Sequence, residues 1–353
     1  MKRDLYWQAV RGICIAAVVA IHCPTALNSP SRADLLSWIA VRSAVNFPVP
    51  VFFFLAGYFA LPSLEKCRSG FRYFVRRSGR LIVPYTFWSV LYVAALAAFR
   101  HEPFPIKPFL VKYVTGGTAA PFYYVAVLFQ LTLAAPLLAN LVNRKSRLVY
   151  AVYGLQFAAL AAVYRLALTS GAVPRFCYTL CFVWIGFYVF GMQMRAAESE
   201  GSSPPIRRLI SVFGSPLFLA AAFLLNVLES YVLLKNNAPP ILAVCQFRLG
   251  GVLYSASLIA AVCRLRGAEI RGRFQNALAS LGDISYGVFY VHYMAILAAG
   301  AAAARLFPNL PWCAVFVLVF AFALSVSVLT VAASRRIFRG ARGAKLLRIA
   351  GFA

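Results

Sequence analysis

Runs of about twenty apolar residues recur along this chain, separated by short stretches rich in arginine and lysine. At a rise of about 1.5 Å per residue, a helix of that length crosses the hydrocarbon core of a bilayer. The runs show no strict alternation of apolar and polar residues, which excludes a membrane β-barrel. Hydrophobic residues make up 62% of the 353 and charged residues only 12%, too few for the polar surface of a soluble fold. The expected fold is therefore an all-α polytopic membrane bundle of about ten transmembrane helices. The spans read as 9–27, 45–62, 81–99, 122–142, 148–168, 176–194, 212–234, 240–262, 281–303 and 312–333.

The net charge of +26 would point to nucleic acid in a soluble protein. Here the bases sit between apolar runs, so they read as topology signals and contacts to anionic lipid, with no nucleic-acid partner. Placing the N-terminus in the cytoplasm puts Lys66, Arg68, Arg72, Arg76, Arg77 and Arg80 inside, with the basic segments around Arg144, Arg207, Arg271 and Arg335. Arg32, Arg42, Arg100, Lys107, Lys112, Arg165, Arg175, Lys235 and Arg305 are left outside. The inside excess puts both termini in the cytoplasm. Residues 1–353 read as a single integral-membrane domain with no attached soluble domain. The segment Gly201-Ser202-Ser203-Pro204-Pro205 reads as a linker. Of the eight cysteines, seven lie in or beside apolar runs, where they behave as small hydrophobes. No spacing suggests a metal site.

The first run, AVRGICIAAVVAIHCPTAL, contains Arg11 and His22. Eleven residues is about three turns, so the two share a face roughly 16 Å apart along the axis. Such groups are costly within a bilayer and mark functional sites, although a lone histidine can simply bond a neighbouring helix. His22 is expected near mid-membrane or slightly toward the outer face, with Arg11 near the cytoplasmic end. His292, in SLGDISYGVFYVHY, lies at a similar depth, and Ser285 shares its face. The third histidine, His101, falls in an outside loop. An imidazole can take and return a proton near neutral pH, which suits activation of a hydroxyl.

Arg77 and Arg80 are three apart in FRYFVRRSGRLIVPY and face the same way on a helix. Guanidinium forks suit phosphate, whereas Arg68, Arg72 and Arg76 read better as a cytoplasmic anchor. Glu229 and Arg248 lie on consecutive helices. They suit equally a structural ion pair and the lining of a polar cavity. In Phe52-Phe53-Phe54-Leu55-Ala56-Gly57-Tyr58, Gly57 permits close helix approach. Gln130, Gln156 and Asn226 are membrane amides of the kind that join helices.

Taken in order, four features resemble the acyltransferase 3 family of integral-membrane O-acyltransferases. They are Arg11-Gly12 with His22, the stretch from Phe53 to Phe59, Arg77-x-x-Arg80 with Pro84, and Ser285-Tyr286-Gly287 running to His292. Gln8 stands where family members often carry an acidic residue, and Ala56-Gly57 where they often carry Ser-Gly. The resemblance implies transfer of an acyl group, usually acetyl, from cytoplasmic acetyl-CoA or another acyl-CoA. The acceptor would be a hydroxyl of a cell-surface glycan or lipid-linked saccharide, and the setting a bacterial inner membrane. The acyl-CoA is a donor substrate, so no permanently bound cofactor is expected. The resemblance also implies that Arg77 and Arg80 hold the CoA phosphates and that His22 activates the acceptor. Arg11 would orient the donor or stabilise developing charge, while His292 and Glu229 line the cavity. A transporter of an anion or acylated sugar, with Arg11 as counter-charge and His22 as proton-coupling group, fits the residues alone equally well. A non-catalytic scaffold leaves the membrane histidines unexplained.

Overall fold

The computed structural model describes residues 4–23, 35–201, 204–266 and 272–353. Residues 24–27 of the first expected span, Lys2, Arg3, Arg32, Arg271 and the Ser202-Ser203 part of the linker lie outside them. Among the described residues the protein is helical without strands, and nine segments are long and apolar enough to span a membrane. It is an all-α polytopic membrane protein.

In chain order the helices are α1 (Leu5–His22), α2 (Leu35–Ala44), α3 (Pro48–Cys67), α4 (Gly70–Phe99), α5 (Ile106–Val114) and α6 (Tyr123–Asn143). There follow α7 (Leu148–Ser170), α8 (Phe176–Thr179), α9 (Ile185–Ser199), α10 (Pro204–Phe213), α11 (Pro216–Lys235) and α12 (Pro240–Val244). The chain then forms α13 (Leu249–Leu265), α14 (Arg273–Asp283), α15 (Ser285–Leu306), α16 (Trp312–Ile337) and α17 (Gly340–Ile349). They form two compact units, one from Met1–Leu35, Ser78–Ala126 and Ile270–Ala353, the other from Leu36–Arg77 and Val127–Glu269.

In the first unit α1 begins earlier than expected, because the Asp4 carboxylate caps it by accepting the amides of Tyr6 (3.1 Å) and Trp7 (3.3 Å). It ends at His22, just before Cys23-Pro24. His22 is the last residue of α1, and Cys23 after it keeps right-handed helical dihedrals. Against α1 lies α14. A Cβ on Gly12 would overlap the Leu278 carbonyl, and one on Gly282 the Gln8 carbonyl. Position 12 meets 278 and position 8 meets 282, so the two helices run antiparallel with their backbones touching. The expected span 281–303 is accordingly two helices, with Ile284 at the corner between α14 and α15. The expected 81–99 span is instead the last part of the thirty-residue α4. The basic stretch is its first turns, and Pro84 lies inside it.

The second unit holds two broken helices. The expected span 176–194 is α8, a 3-10 turn over Cys181–Val183, and α9. Each break exposes backbone groups that lipid cannot satisfy, and side-chain amides supply the partners. Gln130 donates to the Thr179 carbonyl (2.7 Å) and accepts the Cys181 amide (3.1 Å), while Gln156 accepts the Gly186 amide (2.6 Å). In the second broken helix, α12 and α13, Asn46 donates to the carbonyls of Val244 (3.0 Å) and Cys245 (2.8 Å). Gly57 does allow close packing: a Cβ there would overlap the Tyr188 carbonyl of α9. On α11, Leu217, Leu224 and Leu228 are exposed, as an apolar face meeting lipid requires.

Candidate functional site

The first unit brings His22 and His292 together. Their ring centroids are 5.4 Å apart with planes tilted by 46°. The ring of Tyr293 stands edge-on to His22 at 5.5 Å. His22 is half-buried at the end of α1, whereas His292, within α15, is 0% exposed. Its Nδ1 lies 3.1 Å from the Val288 carbonyl, four residues back on the same helix. A carbonyl can only accept, so Nδ1 carries the proton and Nε2 presents a lone pair. Among the described residues that Nε2 has no hydrogen-bond partner. A buried polar atom left unbonded costs roughly 1–3 kcal/mol, and such atoms ask for an explanation. A proton acceptor beside a second imidazole is a group able to move protons.

Arg11 is half-buried on α1, and its Nη1 lies 3.5 Å from the Gln8 Oε1 one turn earlier. Gln8 thus offers the arginine an amide oxygen where family members often have a carboxylate. The helix separates Arg11 from His22 by about 16 Å of axial rise, so the two do not reach one reacting atom. Ser285 opens α15, half-buried and about 10 Å of rise before His292. Neighbouring Tyr286 donates to the Arg80 carbonyl (3.1 Å). Arg77 is half-buried and Arg80 exposed, one turn apart on the continuous α4.

The second unit holds Glu229 and Arg248. Arg248 is 0% exposed and lies where α13 begins. Its guanidinium donates to the carbonyls of Cys245 (3.1 Å) and Asn226 (3.2 Å), the Asn226 Oδ1 (2.7 Å) and the Glu229 Oε2 (3.4 Å). Glu229 also accepts the Gly250 amide (2.8 Å) and the Tyr164 hydroxyl. Apart from the Arg248–Cys245 bond, which lies within the break between α12 and α13, these bonds tie α11 to that break or to α7, as a structural ion pair does.

A cluster that the sequence did not signal joins α3, α9 and the end of α13. Glu198 accepts from Tyr58 and Arg266, and Arg195 lies 3.8 Å from it. Both guanidinium groups lie over the Tyr58 ring, at 5.6 and 5.3 Å from its centroid. Only the scarcity of acids, nine in the chain, could have singled out Glu198. Among the described residues no group of three His, Cys, Asp or Glu side chains could hold a metal ion.

The family model for the acyltransferase domain of the acyltransferase 3 family matches residues 4–332. No curated protein and no solved structure matches the chain. With nearly all of its length covered, the chain belongs to the acyltransferase 3 family and is a multi-pass membrane acyltransferase.

Proposed function

We propose that this acyltransferase moves an acyl group, acetyl in the first instance, from cytoplasmic acyl-CoA to a hydroxyl of a cell-surface or exported glycan. The observation that carries the reading is the His22–His292 pair, with its buried Nε2 that has no partner among the described residues. In the reaction the acceptor oxygen attacks the thioester carbonyl carbon and the carbon–sulfur bond breaks. The hydroxyl proton passes to the His22 imidazole and then to the departing CoA sulfur. His292, anchored through Nδ1, backs His22 as a second proton acceptor. Arg11, too far along the helix to meet the reacting carbonyl, orients the donor. Arg77 and Arg80 take the CoA phosphates by charge-assisted hydrogen bonds. Both termini lie in the cytoplasm, as the distribution of bases supports, and the membrane is a bacterial inner membrane, the setting that the family resemblance implies.

The test uses purified full-length protein in lipid nanodiscs with labelled acetyl-CoA and an acceptor saccharide. The expected result is CoA release that depends on the acceptor and vanishes in His22→Ala with the fold retained. Acceptor-dependent release undiminished in that variant would refute the assignment of His22. Solute flux in liposomes without acyl-CoA, and no transfer, would favour a carrier.

A further inference from the structure

Tyr92 makes two bonds beside His292 that the reaction outlined above does not use. Buried on α4, its hydroxyl donates to the main-chain carbonyl of Tyr290 (2.9 Å) and accepts the amide of Met294 (2.9 Å). Residues 290 and 294 supply the acceptor and the donor of a single i to i−4 rung of an α-helix. His292 lies midway between them. A hydroxyl that bridges a rung takes over bonding the helix would otherwise complete by itself, and such insertions bend the local path.

Among the described residues the His292 ring is hydrogen-bonded only to its own helix: Nδ1 bonds Val288, and Nε2 has no partner. Its aim is therefore set by the path of α15 through this turn. Tyr92 is the side chain from another element that bonds the main chain on both sides of it. The Tyr92 ring is itself wedged, edge-on to Phe122 at 5.3 Å and 6.3 Å from Tyr293. Tyr293 in turn abuts His22.

We propose that Tyr92 is a positioning residue for the transfer reaction: its hydroxyl bridges the rung of α15 that carries His292 and so aims that imidazole at His22. The inference rests on the functional reading above. Because the hydroxyl gives both of its bonds to the main chain of α15, its loss lowers turnover without weakening binding.

The experiment compares Tyr92→Phe, Ser89→Ala and His22→Ala in the full chain, reading kcat and the KM for acetyl-CoA separately. Ser89 is one turn earlier on α4, and its hydroxyl bonds Thr118 (2.8 Å) rather than α15. Tyr92→Phe is expected to lose about 100-fold in kcat, the scale of a small misplacement of a reacting group, with KM unchanged. Ser89→Ala is expected to stay within about twofold of the parent in both. His22→Ala inactive with Tyr92→Phe within about threefold of the parent in kcat, or impaired only in KM, overturns the positioning role alone. Should His22→Ala remain active, the site reading falls, and this inference with it. If Tyr92→Phe does not fold, difluorotyrosine at position 92 keeps the hydroxyl but weakens its acceptance from Met294. A several-fold fall in kcat is then expected, and an unchanged kcat refutes the proposal.

Discussion

Arg248 and His292 are both wholly buried polar side chains in an apolar chain, and their surroundings treat them in opposite ways. At the break between α12 and α13, Arg248 donates to Cys245, Asn226 and Glu229, and the carboxylate it meets has further donors in Gly250 and Tyr164. In α15, His292 has one bond, to its own helix, and a second ring nitrogen with none among the described residues. The first arrangement closes a gap in a broken helix. The second keeps a lone pair unused at some cost in stability, as a group that must exchange a proton requires. Burial and polarity alone do not separate architecture from chemistry; the count of satisfied bonds does.

That contrast is broken or sharpened most strongly by removing the imidazoles. His22→Ala and His292→Leu should each lower turnover by up to about 10⁴-fold, the upper range for a lost general base. The pair acts as a unit, so the double variant should be little worse than either single. The thermal midpoint of His292→Leu should not fall, since its Nε2 bonds nothing among the described residues and its unpaired burial is itself a cost. A large stability loss with residual turnover would reverse the comparison and make His292 a packing residue.

Arg248→Met should do the opposite. Removing one partner of a buried pair costs about 3–5 kcal/mol, and here it also strips the carbonyls of Cys245 and Asn226 of a donor. The measurement is denaturant or thermal unfolding in lipid, with turnover normalised to folded protein. Normal stability and abolished turnover would move Arg248 into the catalytic machinery.

A smaller effect is expected at the other break. Gln130→Leu leaves the Thr179 carbonyl and the Cys181 amide without their side-chain partner, at about 1–3 kcal/mol for buried unsatisfied groups. Unfolding should shift by that amount and turnover per folded molecule should stay near the parent's. An unchanged unfolding curve would show that the break does not depend on Gln130.

The polytopic helical fold was legible because membrane spans are written in length and hydropathy, which need no tertiary information. The interruptions were not. Nothing local in CYTLCFVWIGFY announces a break at Leu180 to Trp184, because the groups that satisfy it come from Gln130 and Gln156 on α6 and α7. Asp4 could have been read as a cap, and overlooking it started the first span at position 9 rather than at Leu5. The residues that meet at the candidate site were legible as types, two histidines in membrane runs. Their contact was not, since it depends on Gly12 and Gly282 bringing α14 against α1 and on the corner at Ile284. Tyr92 offered no sign, as its role lies in bonds to main chain more than 190 positions away in sequence.

The mildest test concerns Arg77 and Arg80, whose proposed partner is a mobile substrate rather than a buried group. Both sit at the start of α4, one half-buried and one exposed, so solvent screens their charge and each contact to a phosphate is worth only a modest amount. Arg77→Ala and Arg80→Ala should each weaken acetyl-CoA binding about tenfold, equivalent to roughly 1.4 kcal/mol. Turnover at saturating donor should be nearly unchanged, because uniform binding is lost rather than stabilisation of the transition state. The loss should shrink as ionic strength rises, and CoA lacking its 3′-phosphate should be less sensitive to one of the two substitutions. Equal dissociation constants in parent and both variants would return these arginines to the anchoring role that the sequence suggests for Arg68, Arg72 and Arg76.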